Sequence, residues 1–91
     1  MTFISTNPTT GEMIASYPVM STNRVNEIIL GAQEAHLTWG RHAIRDRTER
    51  LTALGALFRK RKKDFGKLMT LEMGKPVQQS ISESEKCASV C

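Results

Sequence analysis

The tripeptide Gly74-Lys75-Pro76 constrains this chain most, because it separates two helical patterns at one point. Glycine favours the left-handed conformation that follows a helix C-terminus, and proline cannot continue a helix but can begin one. A lysine between them suits the negative end of the helix dipole. The tripeptide therefore predicts one helix that ends at Met73 and another that begins at Val77.

Three segments have apolar side chains at the three- and four-residue spacing of an amphipathic helix. The first covers residues 22–39 and follows Ser21, which is a suitable N-cap. The second covers residues 44–73, with a bend expected near 62–66, and the third covers 77–91. The apolar faces predicted for the three helices are, in order, Val25, Ile28, Ile29, Ala32, His36 and Trp39; Leu51, Leu54, Leu57, Phe58, Phe65, Leu68, Met69 and Met73; and Val77, Ile81, Ser84, Ala88 and Cys91.

The N-terminal region, residues 3–18, has a different pattern. Phe3–Ser5 and Glu12–Pro18 are predicted to be short strands, and Asn7–Gly11 between them contains Asn, Pro and Gly in an order that favours a turn. We therefore predict a β-hairpin followed by three to four α-helices. A chain of 91 residues forms one domain at most, and its core is thin.

Basic residues exceed acidic residues by 4, and five of the basic residues are consecutive, from Arg59 to Lys63. Such a run could contact the phosphates of a nucleic acid. However, successive helical residues step about 100° around the axis, so these five side chains point in different directions. No aromatic residue lies within the run to stack on bases. A solvated helix face is the favoured interpretation, and a small basic helical module that binds nucleic acid or another protein is the alternative.

The sequence has no apolar segment of the ~20 residues that a membrane span requires, and it does not begin with a basic and then apolar leader. Its two cysteines, Cys87 and Cys91, are only four residues apart, so a disulfide between them would not link distant parts of the fold. These features predict a cytoplasmic protein, in a reducing compartment, that binds neither membrane nor nucleic acid.

Few residues are candidates for chemistry. His36 lies on the apolar face of the first helix, where a buried, hydrogen-bonded histidine is more common than a metal ligand. His42, Cys87 and Cys91 add possible ligands, but no pair has the spacing of a zinc site. A reactive thiolate requires a helix start or a facing cation, and neither cysteine has one. We therefore predict no catalytic residue in this chain.

Arg47 is the unusual member of the second helix, because it falls on the apolar face. A buried guanidinium requires partners for its donors, so another group is expected to meet it. The sequence has no glycine-rich turn that could hold a phosphate, and so it predicts no cofactor-binding residue.

Several motifs occur together in order along the chain. Asn7–Val19 (NPTTGEMIASYPV), the helix that ends at Trp39, Arg47–Leu51 (RTERL) and Leu68–Pro76 (LMTLEMGKP) resemble the start of an aldehyde dehydrogenase. The MGKP motif followed by Glu83–Cys91 (ESEKCASVC) is most similar to the succinate-semialdehyde dehydrogenase branch. The resemblance implies an α/β fold, of which all 91 residues would form the incomplete N-terminal part of the cofactor-binding domain.

The same resemblance implies that the complete enzyme is a homo-oligomer that uses NAD or NADP to oxidise a small aldehyde, succinic semialdehyde in that branch, to the acid. In that family a cysteine thiolate attacks the aldehyde, a hydride passes to the nicotinamide, and a glutamate activates the water that releases the acid. Cys87 and Cys91 do not match the motif of that cysteine. The chain alone is therefore expected to be inactive and to bind no cofactor.

The resemblance also assigns roles to two residues. Glu72 matches an acidic position that in some members helps to hold a structural monovalent cation, together with main-chain oxygens around Ser5 and Thr6. Arg47 would find its partner in the rest of the cofactor-binding domain. Because the last helical pattern reaches Cys91 without a stop signal, the remainder of the fold is expected to be encoded downstream.

Overall fold

The computed structural model describes residues 1–91 and contains one β-hairpin and four α-helices. This confirms the predicted order of a hairpin followed by three to four helices. The strands are β1, Thr2–Thr6, and β2, Met13–Pro18, and the helices are α1, Thr22–Trp39, α2, Ile44–Lys60, α3, Lys62–Met73, and α4, Val77–Val90.

The two strands pair in antiparallel fashion, and Asn7 organises the turn between them. The Gly11 N–H donates to the Asn7 carbonyl over 2.8 Å, and the Thr9 N–H donates to Asn7 Oδ1 over 2.9 Å. Gly11 has a φ of 77°, which a residue without a Cβ adopts at little steric cost. The asparagine and glycine of the predicted turn therefore act as the sequence predicts.

Helix α1 begins as predicted, since Ser21 Oγ accepts a hydrogen bond from the Arg24 N–H over 3.2 Å. Its predicted inward face is nevertheless exposed, and α1 has no buried residue. Ile28 and Ile29 are 44% and 59% exposed, respectively. The reason is that no other element of the chain packs closely along α1.

The segment 44–73, predicted as one bent helix, is two helices divided at Arg61. At this point the Arg61 N–H still donates to the Leu57 carbonyl, over 2.9 Å. The Ser84 hydroxyl of α4 donates to the next carbonyl, that of Phe58, over 3.0 Å. A side chain that enters the backbone hydrogen-bond ladder is a common cause of a kink. The break therefore coincides with a hydrogen bond from α4, which the periodicity of the segment itself could not indicate.

Helix α4 packs against α2 and α3 through a row of small side chains. Ser80, Ser84 and Ala88 are buried, and their four-residue spacing places them on one face. Ser80 Oγ lies 3.1 Å from Thr70 Oγ1, so the buried hydroxyls are hydrogen-bonded. The predicted face had Val77 in place of Ser80, but Val77 is exposed because the helix is rotated toward its small residues.

Two glycines allow this close packing. A Cβ on Gly66 would lie 2.7 Å from Cγ1 of Ile81, and a Cβ on Gly55 would lie 3.0 Å from the Ala88 carbonyl oxygen. The distance at Gly66 is too short for a further carbon and the distance at Gly55 is tight, so the missing side chains allow the helices to approach closely. The packed part of the chain is therefore the unit of α2, α3 and α4.

Candidate functional site

The tripeptide Gly74-Lys75-Pro76 forms a junction between the hairpin and the helices. Gly74 ends α3 with a φ of 69°, and its N–H donates to the Thr70 carbonyl over 3.0 Å, which confirms the predicted helix stop. A Cβ on Gly74 would lie 3.2 Å from Cγ of Pro8 in the hairpin turn. Beside it, Ser5 Oγ donates to Glu72 Oε1 over 2.7 Å. The hairpin is thus attached to α3 by residues that are 67 positions apart in sequence.

Glu72 is the residue to which the family resemblance assigned a cation. The structure brings its carboxylate to the hydroxyl of Ser5, and both residues are half-buried. Oxygen donors of this kind suit hard cations. No group of three or more His, Cys, Asp or Glu side chains is gathered as a metal site. The hydrogen bond between β1 and α3 is what the structure shows, and a cation at Glu72 stays a prediction.

Arg47 lies near the start of α2 and is half-buried, as its position on the apolar face predicts. Its Nε is buried and has no hydrogen-bond partner within the chain. A buried donor without a partner costs about 1–3 kcal/mol. Arg47 therefore has an unmet donor that an acceptor from outside these 91 residues would satisfy, and that partner stays a prediction.

Trp39 and the two histidines lie around the corner between α1 and α2. The guanidinium of Arg50 is 5.4 Å from the centroid of the Trp39 ring, and the His42 ring centroid is 5.5 Å from it. His42 Nδ1 lies 3.0 Å from the Thr38 carbonyl oxygen. His36 is exposed, so the expectation of a buried histidine is wrong, for the same reason that the rest of α1 is exposed.

Two residues of the basic run Arg59–Lys63 contact other side chains of the same chain. Arg61 lies 3.6 Å from Asp64 and its guanidinium stands over the Phe65 ring, while Lys62 binds Glu85 of α4. These two cations contact neighbouring side chains, as a solvated helix face predicts. No observation in the structure favours the alternative of a nucleic-acid-binding module.

Two ion pairs join α4 to the residues before it. Lys62 Nζ donates to Glu85, and Lys75 Nζ donates to Glu83 Oε1 over 3.0 Å. In each case the hydrogen bond from the lysine, followed by its positive charge, lowers the pKa of the glutamate below the usual 4.5. The pairs are exposed enough for solvent to screen them, so they guide the packing of α4 more than they stabilise it.

None of the four helices combines the length and the apolar character that crossing a membrane would require.

The comparisons with known proteins agree with these features. The family model described as "Aldehyde dehydrogenase family" matches residues 1–91. A mitochondrial succinate-semialdehyde dehydrogenase of Arabidopsis thaliana is 38% identical over 85% of this chain and 15% of its own length. The succinate semialdehyde dehydrogenase [NAD(P)+] Sad of Escherichia coli K12 is 32% identical over 97% of this chain and 19% of its own length.

A solved structure gives the same result at the level of the fold. The NADP-dependent glyceraldehyde-3-phosphate dehydrogenase of Bacillus halodurans C-125, complexed with NADP, superposes on 99% of this chain with a TM-score of 0.94 at 30% identity. The match covers 19% of that protein. The chain belongs to the aldehyde dehydrogenase family, and it spans about a fifth or less of the length of the relatives that it matches.

Proposed function

We propose that these 91 residues are the N-terminal scaffold of an NAD(P)-dependent aldehyde dehydrogenase that oxidises succinic semialdehyde to succinate. The substrate is suggested by two relatives that are succinate-semialdehyde dehydrogenases, together with the MGKP and ESEKCASVC motifs. The use of NAD or NADP is suggested by the Escherichia coli relative, which is named for both, and by the relative solved with NADP.

The observation that carries the scaffold role is the unpartnered surface of α1 and the start of α2. Residues Ile28, Ile29 and Ile44 are 44%, 59% and 71% exposed, respectively. Beside them in the sequence, Arg47 Nε is buried without an acceptor. Exposed apolar side chains and a buried hydrogen-bond donor without an acceptor both indicate that another part of a protein packs on this surface. The remainder of an aldehyde dehydrogenase subunit is the partner that matches the family.

In such an enzyme this segment would have a structural role and would supply no catalytic residue. The reaction consumes an aldehyde, water and NAD(P)⁺, and it yields the acid, NAD(P)H and protons. The thiolate and the water-activating carboxylate of that reaction are proposed to lie outside this segment. The Ser5–Glu72 hydrogen bond would attach the hairpin to the packed unit of α2, α3 and α4, and α1 would be held by the cofactor-binding domain.

A chimera tests the scaffold role. This chain would replace the matching segment of the Escherichia coli succinate semialdehyde dehydrogenase, and NAD(P)H formation from succinic semialdehyde would be followed by absorbance. We expect a folded chimera with turnover close to that of the parent, whereas the parent without any such segment is expected to be inactive. A chimera that folds and assembles but does not turn over would contradict the scaffold role.

The substrate is tested separately, on a full-length protein that carries this segment. We expect kcat/KM to be higher for succinic semialdehyde than for glyceraldehyde 3-phosphate, with either NAD or NADP as the acceptor. The reverse order would overturn the proposed substrate, and it would leave the scaffold role intact. Each part of the proposal thus has its own measurement.

A further inference from the structure

Cys87 and Cys91 form a pair of thiols that the proposed function does not use. Both are free, and Cys87 is exposed while Cys91 is half-buried. Their four-residue spacing places them one above the other on α4. Both line the same open cleft at the end of α4. Two soft sulfur donors therefore share one accessible site.

Their spacing decides which chemistry suits them. Helical residues four apart have Cβ atoms about 5–6 Å from each other. A disulfide requires Cβ atoms about 3.5–4.5 Å apart, so the helix would have to open before one could form. A metal ion with two metal–sulfur bonds of about 2.3 Å spans a wider gap than a single sulfur–sulfur bond of about 2.05 Å. The intact helix therefore favours chelation over oxidation.

The backbone and the packing hold the pair in this arrangement. The Cys91 N–H donates to the Cys87 carbonyl over 3.2 Å, which closes the last helical turn. On the other side, the Cys91 Cβ packs against the backbone of Gly55, where an added Cβ would lie only 3.1 Å away. Cys91 therefore packs against α2, while Cys87 is exposed.

The charges that line the cleft come from Lys86 and Glu83. Lys86 opposes a cation, while Glu83, one turn before Cys87, brings a carboxylate to the same wall and already binds Lys75 over 3.0 Å. Because Glu83 is already paired with Lys75, the charges at the cleft do not themselves attract a cation. The affinity of the site would therefore rest on sulfur, which selects soft metal ions.

We propose that Cys87 and Cys91 form a two-thiolate chelating site for a soft, thiophilic metal ion, with Cd²⁺ as its probe. This site does not rest on the proposed function, because it requires only α4 and its contact with α2. Binding forms two metal–sulfur bonds, and each thiol releases one proton to the buffer. No electron is transferred, so no oxidant or reductant is required.

Titration of the reduced 91-residue chain with Cd²⁺ tests the site, with the thiolate-to-cadmium charge-transfer absorption as the readout. We expect this band to saturate at one Cd²⁺ per chain. Cys87→Ser or Cys91→Ser is expected to weaken binding at least as much as the roughly 10- to 100-fold loss that follows removal of a supporting group at a metal site. Helix content, measured by circular dichroism on the same samples, shows that each variant keeps its fold.

The sharpest control keeps two thiols but moves one of them. In the double variant Cys91→Ser with Ser89→Cys the second thiol is two residues from Cys87, and positions two apart do not face each other on a helix. We expect this variant to bind Cd²⁺ as weakly as the single variants. Equal affinity for the double variant, no band at a one-to-one ratio, or saturation at one Cd²⁺ per two chains would each overturn the site.

Discussion

Helices α1 and α4 have similar lengths, 18 and 14 residues, but opposite environments. Helix α4 carries mostly small and polar residues, yet it buries Ser80, Ser84 and Ala88. Helix α1 carries Ile28 and Ile29 and buries nothing. Burial in this chain therefore depends on whether a partner helix lies within reach, and hydrophobicity alone does not determine it.

The position of α1 agrees with that of a solved relative. The superposition on a complete enzyme covers 99% of the chain, so α1 has the same orientation as in that enzyme. Within these 91 residues no element packs closely along it. Helix α1 thus has no close partner among these 91 residues, whereas α4 has its partners in α2 and α3.

The largest expected effect comes from a charge on the apolar face of α1. In the chimera, Ile29→Lys would bury an uncompensated charge, and such a charge costs about 3–5 kcal/mol. We expect the chimera to lose most of its thermal stability and activity. In the 91-residue chain alone, where Ile29 is 59% exposed, we expect little change in helix content. Glu34→Lys, an exposed charge reversal on the same helix, is the control and should leave the chimera active.

If Ile29→Lys left the chimera as stable and active as Glu34→Lys does, α1 would have no covering partner, and the contrast between α1 and α4 would lose its explanation.

A glycine-to-alanine substitution should lower the thermal stability at Gly66, where α3 packs on α4, and raise it at Gly31 in α1. At Gly66 the new Cβ would lie 2.7 Å from Ile81, and overpacking of this kind costs about 1–3 kcal/mol. At Gly31 in α1 the new Cβ meets nothing within 4 Å, and alanine favours a helix over glycine by about 0.5–1 kcal/mol. Thermal unfolding followed by circular dichroism measures both. A stabilising Gly66→Ala would show that α4 does not pack on α3 as described.

The kink between α2 and α3 gives a smaller effect. Ser84→Ala removes the hydroxyl that donates to the Phe58 carbonyl, and the loss of such a bond costs about 1 kcal/mol. Ser89→Ala is the matched control, because its hydroxyl is exposed and bonds to Glu85 within α4 itself. Urea unfolding of the two variants should show a lower midpoint for Ser84→Ala only. Equal midpoints would mean that the α4 hydroxyl does not support the kink.

The smallest effect is the pH dependence of the two ion pairs of α4. The pKa values of Glu83 and Glu85 are lowered in the folded chain, mainly by hydrogen bonds from Lys75 and Lys62. Their contribution to stability is therefore fully present above pH 4.5 and is lost as the pH falls below that value through the folded pKa values. Thermal melts between pH 7 and pH 3 should show a slight decrease only in the acidic part. Lys75→Met with Lys62→Met should make this part flatter, and an unchanged profile would contradict the pairing.

Much of the fold could be predicted from local sequence signals. Asn7 and Gly11 marked the turn, Ser21 marked the start of α1, and Gly74 marked the end of α3, because each of these residues acts on its own backbone. The limits of the helices followed from the same signals and from the spacing of the apolar residues, except for the division of residues 44–73 at Arg61.

What the sequence could not predict involves contacts between distant residues. The break at Arg61 coincides with a hydrogen bond from Ser84, and the close packing of α4 depends on Gly55 and Gly66. Small residues four apart, such as Ser80 and Ser84, indicate close helix packing. This packing was missed because serine is polar and the helix faces were predicted mainly from apolar residues. The hydrogen bond from Ser5 to Glu72 spans 67 residues and has no local signature. Conversely, the predicted apolar face of α1 is exposed within these 91 residues, and its burial by further chain stays a proposal.

Hydrogen exchange of the 91-residue chain, followed by mass spectrometry of its peptides, tests the contrast between α1 and α4 most directly. Amides exchange slowly where helices are held by packing, and quickly where a helix opens alone. We predict that peptides from α2, α3 and α4 exchange slowly, that peptides from α1 exchange quickly, and that the same α1 peptides become protected in the chimera. Equal protection of α1 and α4 in the isolated chain, unchanged in the chimera, would contradict the claim that the rest of an aldehyde dehydrogenase completes the environment of α1.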